Sequence, residues 1–213
     1  MSESTRTPAG ATKRQFTPRA VLAAIGVKLQ ALDLFGPVRE GVQIEQKVVK
    51  DTPADKLYDA FIAILAGAQG LVQINTLLRA DPALQAAIGR ERCAEQSVVQ
   101  DTLDACTPET VEQLEEALDV IYRRHSRGSR HDYQAHEQVL DVDMSGLPCG
   151  RKAELASKGY FAKQRNRRGR QLGRVVASRY GEVVVDRIYA GTTQLAAALQ
   201  PLVAAAERAL DLD

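Results

Sequence analysis

The first 125 residues carry apolar side chains at helical spacing, whereas the later residues alternate between apolar and polar. The first helical stretch runs from Pro18 to Leu34, and its apolar positions occur every three or four residues: Val21, Leu22, Ile25, Leu29 and Leu32. Gly36-Pro37 is expected to end this helix. Val42–Val49 alternates between apolar and polar residues, which predicts a short strand or an extended linker.

Two later helices have a clear start in the sequence, because a threonine precedes a proline at each. Thr52-Pro53 begins a helix whose buried face is expected to consist of Leu57, Phe61, Ile64 and Leu65. Thr107-Pro108 begins a long helix that ends near His125. Residues 17–130 are therefore predicted to form a helical domain.

The last third of the chain changes to strand-like alternation. Three strands are predicted, at 138–144, 171–178 and 182–190, with a tight turn at 179–181 between the last two. Thr192 or Thr193 is expected to cap a final helix, and Pro201 is expected to kink or divide it. Helices followed by a run of strands predict the α+β fold class.

Two carboxylates stand out in the first strand. Side chains two residues apart point to the same face of a strand, so Asp141 and Asp143 share one face with Val139. Two like charges on a half-buried strand are destabilising unless cations neutralise them, and a bound metal ion is one way to do so. The alternative is an edge strand with solvated acids, which a single Asp-x-Asp pattern would favour.

Composition limits the class of protein without deciding it. The chain has 213 residues, 45% of them hydrophobic and 26% charged, which is ordinary for a globular protein. It has no apolar run near the roughly 20 residues of a membrane span.

Residues 1–16 are polar and basic, which predicts a disordered tail whose Arg6, Lys13 and Arg14 can touch DNA. Three cysteines at unrelated spacings fit a reducing cytoplasm, so a cytoplasmic protein without membrane contact is expected.

Charge is concentrated in one segment although the net charge is only +1. Between Arg151 and Arg179 there are ten lysines or arginines and one acid, Glu154. Such a cluster attracts a phosphate backbone, so double-stranded DNA is the expected partner. A solvated surface hairpin is the alternative. The candidate DNA-binding residues are Arg151, Lys152, Lys163, Arg165, Arg167, Arg168 and Arg170, and a basic loop is the expected conformation for 163–170.

Several short segments, in order, resemble the DDE transposases of bacterial insertion sequences. They are VLDVDMSGLP at 139–148, KGY at 158–160, RRGRQL at 167–172, IYAGT at 188–192 and, upstream, LLRADPAL at 77–84. The resemblance extends from about Pro53 to the end of the chain. It implies a ribonuclease-H-like catalytic domain, of which 137–213 would be the first half, with three strands and a helix. It also implies that the helical domain before it is DNA-binding or pre-catalytic.

The resemblance further implies metal-dependent cleavage and strand transfer of DNA, in which three carboxylates hold two Mg²⁺ ions. Asp143 is the first choice for the first catalytic and metal-binding carboxylate, because Asp143-Met144-Ser145 matches the family's Asp-x-Ser/Thr pattern. Asp141 is the second choice. The other two carboxylates would be expected beyond Asp213, so this chain is expected to be an inactive amino-terminal portion that binds Mg²⁺ weakly at best.

Two other functions stay open at this point. One is a stand-alone DNA-binding protein, including one that inhibits transposition by pairing with a full-length transposase. The other is a helical interaction protein in which the Asp pair has no role. A homo-oligomer or a complex with full-length transposase is accordingly among the expected assemblies.

Overall fold

The computed structural model describes residues 15–47, 50–161 and 163–212. Most of the expected disordered tail, including Arg6, Lys13 and Arg14, lies outside the described residues. The chain divides into two compact units, Met1–Leu118 and Asp119–Asp213, which we call the helical unit and the sheet unit. The predicted α+β class is confirmed. None of the described helices combines the length and hydrophobicity that a membrane span requires.

Among the residues that the structure describes, seven helices precede the sheet. They are α1 (Ala20–Ala31), α2 (Gly36–Gly41), α3 (Pro53–Leu65), α4 (Gln73–Leu77), α5 (Pro82–Ala87), α6 (Gln96–Asp104) and α7 (Pro108–His125), and the division between the units falls within α7. Gly36 and Pro37 begin α2 rather than only ending α1, because proline lacks an N–H and tolerates the first turn, where an N–H would have no partner within the helix. Residues 42–47 form no strand, so the extended linker is the correct alternative there.

The two threonine caps are confirmed. The Thr52 side chain accepts a hydrogen bond from the Asp55 backbone N–H at 3.1 Å, and the Asp55 carboxylate accepts one in return from the Thr52 N–H. The Thr107 hydroxyl accepts from the Thr110 N–H at 3.2 Å. These local bonds use N–H groups that a helix leaves free in its first turn.

The predicted buried face of α3 is wrong by part of a turn. Ile64 is 71% exposed and Leu65 is 45% exposed, whereas Tyr58 and Ile62 are buried in the core. Asp59 lies on the same buried face, with no exposed surface. Apolar spacing alone predicted that Ile64 and Leu65 are buried, because it places every aspartate on the exposed face of a helix. Asp59 is buried instead, since it has hydrogen-bond partners in the core.

Those partners form an ion network around one arginine. Arg90 donates to Asp59 at 3.0 Å and to Asp51 at 2.7 Å, and its guanidinium lies 3.2 Å from Asp55. The second oxygen of Asp59 accepts from the Ala94 N–H at 2.6 Å. Burial lowers the pKa of Arg90, but Asp59 and its neighbours raise it more, so the net pKa lies above the usual value. The network ties α3 to the segment between α5 and α6.

In its described part, the sheet unit contains one antiparallel sheet of four strands. These are β1 (Leu140–Pro148), β2 (Ser157–Phe161), β3 (Gln164–Ala177) and β4 (Glu182–Ala190), and the helix α8 (Leu195–Leu210) follows. β3 pairs with each of the other three strands. The three predicted strands are present, but β2 was not predicted. The predicted basic loop at 163–170 is wrong, because this segment is the turn and outer part of a β2–β3 hairpin.

The final helix packs on one face of the sheet. Ala198, Leu202 and Ala206 are buried in a core with Val175 and Ala177 of β3. α8 starts at Leu195 after Gln194, with no side-chain cap, so the predicted threonine cap is wrong. Pro201 does not divide α8 either, since the helix runs through it. Burial of this alanine-rich face outweighs the one backbone hydrogen bond that a proline removes.

A carboxylate secures the connection between α7 and the sheet. Glu182 at the start of β4 accepts from the Arg127 N–H at 3.0 Å and from the Gly128 N–H at 2.8 Å. Burial raises the pKa of Glu182, but these two N–H groups lower it more, so the net pKa is below its usual range. The ionised form is therefore the one that the folded sheet unit prefers.

We expect Glu182→Gln to destabilise the sheet unit by about 1–2 kcal/mol at neutral pH, because charged acceptors make the stronger hydrogen bonds. A lowered carboxyl pKa contributes stability above its ordinary value of 4.5 and loses that contribution as the pH falls through the folded value. The difference between variant and wild type should therefore shrink as the pH falls below 4.5. Urea denaturation of both proteins, from neutral pH to below 4.5, measures this difference in unfolding free energy. A difference that does not change with pH would contradict the conclusion that the ionised form of Glu182 stabilises the sheet unit.

Candidate nucleic-acid interface

The strand register sorts the side chains of the sheet onto two faces. Odd-numbered residues of β3, such as Val175 and Ala177, face α8. The even-numbered residues from Arg168 onward face the other way, and we call this opposite side of the sheet the distal face. Residues directly paired across strands share a face, so the distal face also includes Lys158, Asp141, Asp143, Ser145, Leu147, Asp186 and Ile188.

Asp141 and Asp143 both lie exposed on the distal face, as the alternation predicted. The Ser178 hydroxyl donates a hydrogen bond to Asp141. Asp143 lies opposite Arg174 of β3 in the register. Because β1 and β3 hold their backbones in a continuous ladder, the two carboxylates are fixed on one side of the sheet.

A charged row crosses the middle of this face. Asp143 of β1, Arg174 of β3 and Asp186 of β4 are consecutive partners in the register. Arg174 donates two hydrogen bonds to Asp186, each 2.6 Å long, in a bidentate pair. These bonds raise the pKa of Arg174 above its usual value. The cation nearest to Asp143 in the register is thus already committed to another carboxylate, which leaves Asp143 the less compensated of the two acids.

The donor groups of this face do not fit the two-metal centre that the transposase resemblance implies. Such a centre needs at least three convergent carboxylates. The face offers three exposed carboxylates, but Asp141 accepts from the Ser178 hydroxyl and Asp186 is held by Arg174, which leaves Asp143 alone without such a partner among the three. Within the described ranges, histidine, cysteine, aspartate and glutamate side chains do not gather in any group of three or more that suits a metal ion.

The seven candidate DNA-binding residues all surround the β2–β3 hairpin, but they do not all lie on one face. Arg168 and Arg170 lie on the distal face with the Asp pair, and Arg167 lies on the opposite side of β3. Lys163 lies in the turn and Arg165 follows at the start of β3, and both Lys163 and Asn166 have positive φ. Arg151 and Lys152 lie in the connection between β1 and β2.

None of these seven cations has a carboxylate oxygen within 4.0 Å in the part of the chain that the structure describes. The hydrogen bonds they donate go to neutral acceptors: Arg167 to the Gln164 side chain at 3.1 Å and Arg168 to the Ala156 carbonyl at 3.3 Å. Arg90 and Arg174, by contrast, are fully matched by aspartates. The hairpin is therefore a region of uncompensated positive charge.

Two functional candidates were missed from the sequence. Lys158 pairs with Arg168 across the hairpin and adds a cation to the distal face. It belongs to the KGY segment, but with β2 unrecognised there was no register to place it. Phe161 is 1% exposed at the end of β2. The glycines that surround it come from distant segments, so no local pattern marked it.

No known protein-family model, curated protein or solved structure matches this chain.

Proposed function

We propose that this chain is a transposase-like protein that binds duplex DNA across the distal face and hairpin of its sheet unit. The observation that carries the proposal is the uncompensated charge of the hairpin and the connection before it, where seven lysines and arginines have no described carboxylate partner. Held this close together without counter-charges, the cations repel one another, and a phosphate backbone relieves that repulsion.

The spacing of the cations suits a phosphate backbone. Arg168 and Arg170 are two residues apart on one face, a separation of about 7 Å along the strand. Lys158 stands beside Arg168 on the neighbouring strand. Arginine presents several N–H groups in a plane and can hold phosphate oxygens in pairs. Contacts of this kind position a protein on DNA without selecting sequence.

Topology supports the ribonuclease-H-like part of the proposal. β1, β3 and β4 form an antiparallel meander interrupted only by the β2 strand of the hairpin, and α8 then crosses one face. Asp143 lies on the first strand of that meander, the position at which the resemblance puts the first catalytic carboxylate. Arg170 lies four residues before Arg174, the register partner of Asp143, which is about 13 Å along β3. DNA held by the hairpin would thus pass close to the Asp pair.

The proposal is tested by titrating the 213-residue protein against a fluorescent duplex of random sequence and repeating the titration at several salt concentrations. We expect binding to weaken steeply with salt, with a logarithmic slope of about −0.9 for each phosphate contacted, and to depend little on sequence. Binding that is absent at low salt, or that is insensitive to salt, would contradict the proposal.

A DNA-binding role without catalysis is favoured for this chain by the donor set of the distal face, where Asp186 is already paired with Arg174 and only Asp141 and Asp143 are left as possible metal ligands. We expect no nicking of supercoiled DNA by the 213-residue protein in magnesium or manganese buffer. The matched control is Asp143→Ala, which should give the same background as wild type. Metal-dependent nicking that disappears in Asp143→Ala would show that further carboxylates complete the site.

A further inference from the structure

The ring of Phe161 fills a pocket made of glycines. The four come from β1, β2, β3 and the residue after β4: Gly146, Gly159, Gly169 and Gly191. A Cβ atom on any of them would lie 2.7–2.9 Å from a ring carbon of Phe161. Real Cβ contacts are essentially never this short, so the ring occupies the space of four absent side chains. Phe161 is accordingly among the largest fully buried side chains of the protein.

The pocket connects the hairpin to the rest of the sheet. β1 pairs with β3 only as far as Gly169, and β4 pairs with β3 only as far as Arg170. Beyond those residues, the strand ladder of β3 continues with β2 alone, and its register shifts between Gly159 and Phe161. A two-stranded hairpin is only marginally stable in water by itself. Phe161 packs the end of this hairpin against backbone that belongs to the other two strands.

We propose that Phe161 is a positioning residue that locks the basic hairpin onto the sheet and so holds its cations ready for DNA. This inference rests on the proposed function and adds how the same surface is organised. Phe161 itself carries no charge and is buried, so it contributes through the hairpin. A hairpin that is already ordered loses less conformational entropy when it binds than a loose one does. The lock thus raises DNA affinity without adding a phosphate contact.

A double-mutant cycle tests whether the contact between Phe161 and the glycine pocket orders the hairpin. Gly146 is the suitable partner, because the two nearest atoms to its added Cβ would both belong to the Phe161 ring, at 2.7 and 3.4 Å. The next atom, the side-chain oxygen of Gln171, lies at 3.8 Å, which is an ordinary contact distance. Gly146→Ala crowds the pocket, and Phe161→Leu leaves a gap in it. In the double variant the new methyl group occupies the space that the smaller leucine vacates, so the two changes should compensate each other.

Two readouts apply to all four proteins. Amide hydrogen exchange without DNA reports hairpin order, and the amides of α8 serve as the internal control for global folding. We expect each single variant to speed exchange within 157–169 by about 10-fold while α8 is unaffected, and the double variant to recover most of that loss. DNA affinity should fall about 5–10-fold in each single variant, with an unchanged salt slope because the cations are all present. The double variant should bind within about 3-fold of wild type.

The outcomes separate the lock from the proposed function. Hairpin exchange that stays at the wild-type rate in both single variants overturns the lock. Faster exchange with unchanged DNA affinity overturns the role in positioning, as does a salt slope that falls along with affinity. If wild type itself fails to bind DNA, the proposed function and the positioning role fall together, while exchange still decides whether Phe161 orders the hairpin. If Phe161→Leu disturbs α8, Phe161→Met, which is closer in volume, replaces it in the cycle.

Discussion

Replacing four arginines of the hairpin with alanine, Arg165, Arg167, Arg168 and Arg170, is expected to weaken duplex DNA binding by about 100-fold at moderate salt. It should also reduce the slope of the logarithm of the binding constant against the logarithm of the salt concentration by about 3. Each arginine that neutralises one phosphate adds about 0.9 to the slope, so four contacts supply at most about 3.6. None of the four has a carboxylate partner in the described part of the chain, so their removal breaks no ion pair there.

The comparison needs a variant that loses charge elsewhere. Arg92 in the helical unit and Arg124 at the end of α7 are both exposed arginines. The Arg92→Ala/Arg124→Ala protein should keep the wild-type slope, whereas the Arg168→Ala/Arg170→Ala protein should lose about 2 units of it. Equal losses in the two double variants would mean that overall charge, and not the hairpin, governs binding. Fluorescence anisotropy at four or more salt concentrations, on the order of 50–200 mM, resolves the two cases.

Removal of the Arg90 guanidinium is expected to destabilise the helical unit by about 3–5 kcal/mol, as breaking one partner of a buried ion pair does. In Arg90→Met, Asp59 stays buried and keeps the hydrogen bond from the Ala94 N–H, but it loses the cation that balances its charge. Asp51 and Asp55 are left near it with like charge. Urea denaturation monitored by hydrogen exchange in α3 and α6 assigns the loss to the helical unit.

The same variant should be sensitive to pH. Burial raises the pKa of Asp59 above its usual value even with Arg90 present, and removing Arg90 takes away a group that lowers it. A raised carboxyl pKa contributes stability at low pH and loses it as the pH rises through the folded value. The deficit of Arg90→Met relative to wild type should therefore be smallest in acid and largest at neutral pH. Arg92→Met is the matched control, with a deficit below about 0.5 kcal/mol at every pH.

Local rules were sufficient for several features of this chain. The caps at Thr52 and Thr107 depend on side-chain oxygens and N–H groups within three residues, so they were predicted correctly. The turn at 179–181 also follows from its own residues, since Gly181 adopts a positive φ there. Where α8 begins was not predicted, because neither Thr192 nor Thr193 caps it and packing against the sheet decides its start.

The candidate site was predictable in its residues but not in its arrangement. The excess of lysine and arginine and the Asp pair were visible in the sequence. The register shows that Arg168 and Arg170, but not Arg167, share a face with Asp143. It also shows that Arg174 is matched by Asp186, twelve residues away, which no local pattern could indicate.

By itself, the sequence determined the α+β class, the positions of three strands and the common face of Asp141 and Asp143, because propensity, capping and alternation act over a few residues. Only the tertiary structure decided that Asp59 is buried with Arg90 and that Phe161 is enclosed by glycines from separate strands. The physical reason is that such contacts join residues far apart in the chain. Their free energy depends on which strands pair and in which register, and that is settled by the packing of the whole unit.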